Sequence, residues 1–485
     1  MPAVHATPAT LVWFRQDLRL ADNPALAAAL ARGGPVVPVY IDADDEEGGW
    51  APGAASRWWR HHALASLAGV LQACGSRLVL RRGAALAQLA HIAQACGADA
   101  VYWNRRYEPA ARERDARTQQ GLRDAGLLAE SRNGSLLAEP WELRTQAGGP
   151  FRVYTPFWRK LLATIEPAQP LPAPTQLPAP AAWPDSLALD ALGYLPRVRW
   201  DAGLAQHWQP GEGGAQHQLG QFVATAITRY GDRRDRPALA GTSRLSPYLH
   251  HGELSPRQVW HAVLAADPGA RGGKFLAELG WREFSYHLLH HFPHTTDEPL
   301  RSEFAAFPWR ADARLLRAWQ QGRTGVPLVD AGMRELWHTG WMHNRVRMIA
   351  ASYLVKNLLQ PWTAGARWFW DTLVDADLAA NTQGWQWTAG CGADAAPYFR
   401  IFNPVIQGER FDPQGEYLRR WLPELARLEG KALHAPWLAG AAPLAAAGVS
   451  LGRDYPLPLV SLAHSRQDAL AAFAQLQAAK GRGPA

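Results

Sequence analysis

Thr10-Leu-Val-Trp-Phe14 is apolar along its whole length. A strand with one face in water alternates apolar and polar residues, whereas a continuous short run is buried on both faces. Residues 35–41, 77–81 and 98–103 read as strands of the same buried kind, and 127–131 could be a fifth. Helical patterns at 23–31, 55–74, 84–96 and 110–125 lie between them. Strands alternating with helices argue a doubly wound parallel sheet. No Gly-x-Gly-x-x-Gly follows the first strand, so the usual dinucleotide fingerprint is absent.

Working outward, residues 166–196 become Pro- and Ala-rich and read as an extended linker. After about Gly211 the strand signal disappears, and helical patterns run to about Gln477. The expected fold class is α/β plus all-α: an α/β domain over 8–135, a linker over 136–210, and a larger helical domain over 211–477.

Composition narrows the chemistry. The chain has 485 residues and 23 Trp, against an ordinary usage of roughly 1%. Most of these rings serve as core, but tryptophan also stacks on bases and carries single electrons. The net charge is +7 and the pI about 9.4, which suits a polyanionic partner without requiring one. Cys74, Cys96 and Cys391 are too few for a disulfide framework, a zinc site or an iron–sulfur cluster. The adjacent pairs His61-His62, His250-His251 and His290-His291 lack the i, i+4 spacing of a metal pair on a helix, so no metal is expected. No signal peptide and no apolar run of about 20 residues occurs; a soluble, cytoplasmic protein is expected.

Four segments carry chemistry. In 375–387, Asp377, Asn381 and Trp385 fall at i, i+4 and i+8 and would share one helix face, while Trp387 points elsewhere. A carboxylate, an amide and an indole in one stripe suit a flat, polar-edged ring; a core helix with packed indoles is the alternative. In Gly241-Thr-Ser-Arg-Leu-Ser-Pro-Tyr, backbone N–H groups, hydroxyls and Arg244 offer themselves to an anion, or simply cap a helix. Glu278, Trp281 and Arg282 share a face as a stacking ring between an acceptor and a cation, or as a solvated ion pair beside a packed ring. Gly340-Trp-Met-His-Asn-Arg-Val-Arg-Met puts Asn, His and Arg in an otherwise apolar region, which suggests buried polar work.

Together these segments resemble the photolyase/cryptochrome flavoprotein family. The resemblance starts at Leu11-Val-Trp-Phe-Arg-Gln-Asp-Leu-Arg-Leu, ends near Trp421-Leu-Pro-Glu-Leu, and omits only the linker. Within the family the chain looks like a photolyase for cyclobutane pyrimidine dimers, of the class I or class III kind. The resemblance implies FAD, active when reduced, in the helical domain. Tyr230, Thr242, Ser243, Arg244, Leu245 and Ser246 match positions at its phosphates. Asn344, Arg347, Asp375 and Asp377 match positions around its rings and ribose, and Asn381 the residue facing flavin N5. Plant cryptochromes carry Asp at that last point. Trp385, Trp362 and Trp309 match an electron path from flavin to surface.

The same resemblance implies a lesion pocket of Glu278, Trp281, Asn344, Met348 and Trp387, with Arg282 beside it. Arg234, Arg345, Arg400 and Gln407 match positions near the DNA backbone. The implied reaction is light-driven electron transfer to the dimer by a lyase acting as a monomer on DNA, with no membrane partner. The (6-4) branch is disfavoured because its second His is Asn344 here. The alternative is a blue-light receptor that binds FAD and signals through a partner; the short segment after Pro456, ending Lys-Gly-Arg-Gly-Pro-Ala, disfavours it. Glu108 matches a position that binds an antenna, methenyltetrahydrofolate, although the 42–50 loop departs from the class I pattern. An 8-hydroxydeazaflavin, or no antenna, is the alternative.

Overall fold

In the computed structural model, which describes residues 7–480, the alternating segment forms a five-stranded parallel sheet. Residues 1–6 of the 1–8 stretch read for a signal peptide, and the 481–485 end, lie outside the described part. The strands are β1 (Ala9–Phe14), β2 (Val36–Asp42), β3 (Val79–Arg82), β4 (Ala98–Asn104) and β5 (Leu128–Arg132). Their order is β3-β2-β1-β4-β5, so the winding reverses between β1 and β4. Leu11 pairs with Val37 on one side and Val101 on the other. All of β1 and β2 is buried, which is why the sequence there does not alternate.

Helices Pro24–Ala31, Ala54–Ala73, Ala85–Cys96 and Pro109–Asp124 fill the intervals. The first begins at an Asn23 cap, whose side chain accepts from Leu26 N–H, with Pro24 following. Trp13, Val39, Val101 and Trp103 meet Leu89 and Ile92 of the Ala85–Cys96 helix in one core.

The Pro-rich stretch is extended, as its composition requires, but it is not a free tether. Val36 N–H donates to Pro178 O, Leu177 N–H to Cys74 O, and Asp22 N–H to Leu171 O. Arg77 lies over the Trp183 ring at 4.9 Å. Ahead of it, Tyr154–Thr164 is an amphipathic helix within the expected linker.

The chain packs as two compact units. The first runs to Thr228 and adds Ser243–Pro293 and Val374–Asp377; the second comprises Arg229–Thr242, His294–Leu373 and the chain from Leu378. Segments of the expected helical domain thus contribute to both. In the first unit they include helices Glu212–Thr225, Ser246–His250, Pro256–Ala266 and Lys274–His291. The second includes Ala313–Gln320, Pro327–Thr339, Asn344–Ser352, Trp362–Thr372, Leu378–Ala389, Pro404–Phe411 and Leu462–Lys480. No helix among the described residues is long and apolar enough to cross a membrane.

Candidate functional site

Within the first unit, polar side chains gather around two buried carboxylates. Ser246, the first residue of its helix, donates its hydroxyl to Asp375 Oδ2 at 2.6 Å. Asp377 accepts from the Tyr286 hydroxyl and lies 3.9 Å from His250 Nδ1. Burial pushes the Asp377 carboxyl up, but His250, Arg282 and Tyr286 together outweigh it and hold the group below the usual carboxylate range. Arg282 sits over the Tyr286 ring at 4.8 Å and donates to Ser135 O at 2.8 Å. It is turned inward onto its own unit, not held out as a flanking cation. Arg244 has a φ of 53°, rare for a side chain of its size, and its guanidinium covers Trp208 at 4.4 Å. Gln218 pins the same turn by donating to Ser243 O at 2.9 Å.

Trp281, half-buried on the Lys274–His291 helix, stacks on Tyr154 with centroids 3.8 Å apart and planes within 10°. Glu278, one turn earlier, is also half-buried. Glu108 is buried and engaged by its own chain: Arg106 donates to it at 3.0 and 3.2 Å, and Tyr107 N–H at 3.1 Å.

Within the second unit, Asn381 and Trp385 share a face of the Leu378–Ala389 helix. The expected three-residue stripe is realised for those two; Asp377 precedes the helix. Asn381 Nδ2 donates to Ala366 O at 3.0 Å. Trp385 is buried edge-on to Phe369 (5.0 Å, 65°) and Trp319 (6.1 Å, 70°), against Gly365. Trp362 is buried, and half-buried Trp309 leans on Phe307 at 4.4 Å. Trp387 is half-buried.

In the Asn344–Ser352 segment the buried polar work falls to His343. It caps the helix by accepting from Arg345 N–H at 3.1 Å, and its own backbone N–H donates to Glu335 at 3.2 Å. Burial pushes its imidazole down to about 4. Asn344 is exposed, while Arg347 and Met348 are half-buried. Arg345 pairs with Asp235 at 2.8 Å, and Arg234 lies over Tyr230 at 5.3 Å. Arg400 is exposed and Gln407 half-buried. Thr242, in the same unit, is half-buried.

Sequence reading missed Tyr286, Tyr154, Trp319 and Asp235. Tyr286 lies four residues past Arg282 and was recoverable from helical spacing; the other three lie far in sequence from Trp281, Trp385 and Arg345, against which they pack. It also missed a cavity of about 620 Å³ in the second unit. Arg317, Arg334, Trp337, His338, Trp368 and Trp421 are among its lining residues. Trp337, 58% exposed, faces Trp368 with centroids 6.0 Å apart and planes within 4°. The buried indole N–H groups of Trp368 and Trp421 have no hydrogen-bond partner.

Comparison with known proteins bears on both units. Residues 10–178 match the DNA photolyase family, and 275–475 match the FAD binding domain of DNA photolyase. A deoxyribodipyrimidine photo-lyase of Agrobacterium fabrum is 49% identical over 475 residues, 97% of this chain and 98% of that protein. Cryptochrome-2 of Arabidopsis thaliana is 42% identical over 94% of this chain and 77% of its own length. The crystal structure of a class III photolyase from Agrobacterium tumefaciens superposes with a TM-score of 0.95 at 48% identity, covering 98% of this chain and 99% of that one.

Proposed function

Because the chain belongs to the DNA photolyase family, we propose that it splits cyclobutane pyrimidine dimers in DNA by light-driven electron transfer. The observation that carries this reading is the near full-length likeness to a class III photolyase. The photo-lyase relative is also more similar than the cryptochrome, 49% against 42%, which favours repair over signalling. The substrate places the protein with the genome, and a monomer suffices for the reaction.

Reduced FAD, when bound, supplies the excited electron donor. By the family resemblance, Tyr230, Thr242, Ser243, Arg244, Leu245, Ser246, Asn344, Arg347, Asp375, Asp377 and Asn381 would hold it. The chemistry of these residues fits: hydroxyls and a guanidinium suit phosphates, and buried carboxylates suit ring and ribose donors. Asn381 gives its Nδ2–H to Ala366, which leaves Oδ1 as the acceptor offered to a protonated ring nitrogen. Trp385, Trp362 and Trp309 would refill an oxidised flavin from outside. Glu278, Trp281, Asn344, Met348 and Trp387 would receive the flipped dimer, with Trp281 as stacking platform. Arg234, Arg345, Arg400 and Gln407 would meet the DNA backbone.

The antenna would be methenyltetrahydrofolate, seated between Trp337 and Trp368 and not at Glu108, whose carboxylate is already occupied by Arg106. A planar ring between two others needs a gap of about 7 Å, twice the ordinary carbon contact. The observed 6.0 Å therefore needs to open by about 1 Å. Arg317, also in the lining, suits a carboxylate tail.

Two experiments test these readings. Illuminating the reduced protein with dimer-containing DNA should restore thymine absorbance; no recovery would end the repair reading. Trp337→Ala should lose extractable folate and keep FAD. Folate retained by the variant, or a deazaflavin extracted from the parent, would end the antenna reading.

A further inference from the structure

We propose that Tyr154 is a positioning residue for Trp281, bracing one face of the indole so that the opposite face is presented to an unstacked pyrimidine. This rests on the lesion-stacking role given above to Trp281. The two rings lie nearly parallel at 3.8 Å, closer than any other ring pair Trp281 makes; Phe284 meets it edge-on at 5.9 Å.

Tyr154 is itself held by further contacts. Its hydroxyl donates to Ala277 O at 2.5 Å, on the same helix as Trp281 and one turn earlier. Trp158, one turn along the Tyr154–Thr164 helix, lies parallel to it at 6.4 Å and 11°. The phenol is buried, while the indole it supports is half-buried. Burial, with the charge of Glu278 nearby, pushes the phenol pKa up, so the hydroxyl remains a donor throughout the neutral range.

The close approach of the two helices depends on the residue before Trp281. A Cβ on Gly280 would stand 2.4 Å from Trp158 Cε3 and 2.9 Å from Tyr154 Oη. Only glycine lets the Tyr154–Thr164 helix come near enough for its first ring to lie flat on Trp281. A platform fixed before the substrate arrives does not lose rotamer freedom on binding, so more of the stacking energy appears as affinity. The helix inside the expected linker thus supplies the back of the lesion platform.

The test uses the FAD-loaded full chain with Tyr154→Phe, Tyr154→Leu, Tyr154→Met, Trp281→Ala and the double variant Tyr154→Leu/Trp281→Ala. Affinities for dimer-containing and undamaged duplexes are measured at one salt concentration, alongside flavin content and melting temperature. Tyr154→Phe keeps the ring and should bind dimer DNA within about twofold of the parent. Tyr154→Leu and Tyr154→Met should bind it about threefold or more weakly, with undamaged DNA and flavin content unchanged, since base–aromatic stacking depends on how the ring is held. The double variant should be no weaker than Trp281→Ala alone, because the brace acts only through the indole.

If Trp281→Ala loses dimer affinity and the Leu and Met variants do not, Tyr154 does not position Trp281. If both variants lose flavin, or weaken both DNAs equally, Tyr154 is a packing residue and the proposal is overturned. If Trp281→Ala itself binds dimers like the parent, the lesion role of Trp281 falls, and this inference with it.

Discussion

Gly365 and Gly384 lie on neighbouring helices of the second unit, and replacing each by alanine should move stability in opposite directions. A Cβ on Gly365 would stand 2.1, 2.5 and 2.6 Å from three benzo-ring atoms of Trp385. Carbon atoms settle at about 3.5 Å or more, so the indole must retreat by about 1.4 Å. Phe369 and Trp319 press on its other edges at 5.0 and 6.1 Å, which leaves little room for that movement. Overpacking of this kind costs about 1–3 kcal/mol, and here the upper end applies. Alanine recovers about 1 kcal/mol of helix propensity. The net loss for Gly365→Ala is therefore about 2 kcal/mol. Gly384 has no heavy atom within 4 Å of its would-be Cβ, so Gly384→Ala should gain up to about 1 kcal/mol. Urea midpoints of the two variants measure this directly. Flavin photoreduction should slow in Gly365→Ala alone, because Trp385 is the displaced ring. A Gly365→Ala midpoint at or above the parent's would refute the steric argument, as would equal shifts in both variants.

Trp309→Phe should block photoreduction of oxidised flavin with an external donor while leaving repair by pre-reduced enzyme nearly intact; photoreduction at the parent rate would show another route. Arg345→Ala should weaken damaged and undamaged DNA alike and lower the salt slope by about one, as loss of a single phosphate contact does; an unchanged slope removes Arg345 from the interface. Burial, with His291 nearby, pushes His287 down to about 3, while Phe151 N–H donates to its Nε2 and Pro140 O bonds its Nδ1. The unfolded chain then binds a proton below about 6.5 that the folded site refuses, so stability falls as pH drops from there towards about 3, by at most about 1.4 kcal/mol per pH unit for this group. His287→Gln should lessen, by one histidine's share, the fall of the urea midpoint between about pH 6.5 and 4.5, since His343 and His290 are depressed as well; an unchanged slope would exclude His287 as a contributor.

The sheet was legible because burial on both faces leaves uninterrupted apolar runs, and each expected strand lies within two residues of the observed one. Single helices were legible too: Asn381 and Trp385 share a face, as do Glu278 and Trp281. What could not be read is whatever joins distant segments. Tyr154 and Trp281 are 127 positions apart, and nothing local marks either as the other's neighbour. Trp337 and Trp368 each resemble core indoles; only their parallel facing, with one largely exposed, marks a cavity. His343 took the buried polar role because a cap position needs an acceptor there, whereas Asn344, one residue on, faces outward. The docking of the Pro-rich stretch rests largely on backbone hydrogen bonds, which residue identity does not encode.

That docking also decides how the protein behaves towards its own copies. β3 and β5 are the outer strands, and an open outer strand is a template on which another chain can add. At β3, Leu80 N–H donates to Ser186 Oγ and Leu80 O accepts from Leu187 N–H. At β5, Ala129 O accepts from both Gln119 and Arg123 of the Pro109–Asp124 helix. One rim is thus closed by a segment whose prolines prevent it from becoming a strand that propagates, and the other by side chains. A protease cut near residue 185 should release the closure at Leu80 and turn the protein towards aggregation, which light scattering before and after cleavage would show.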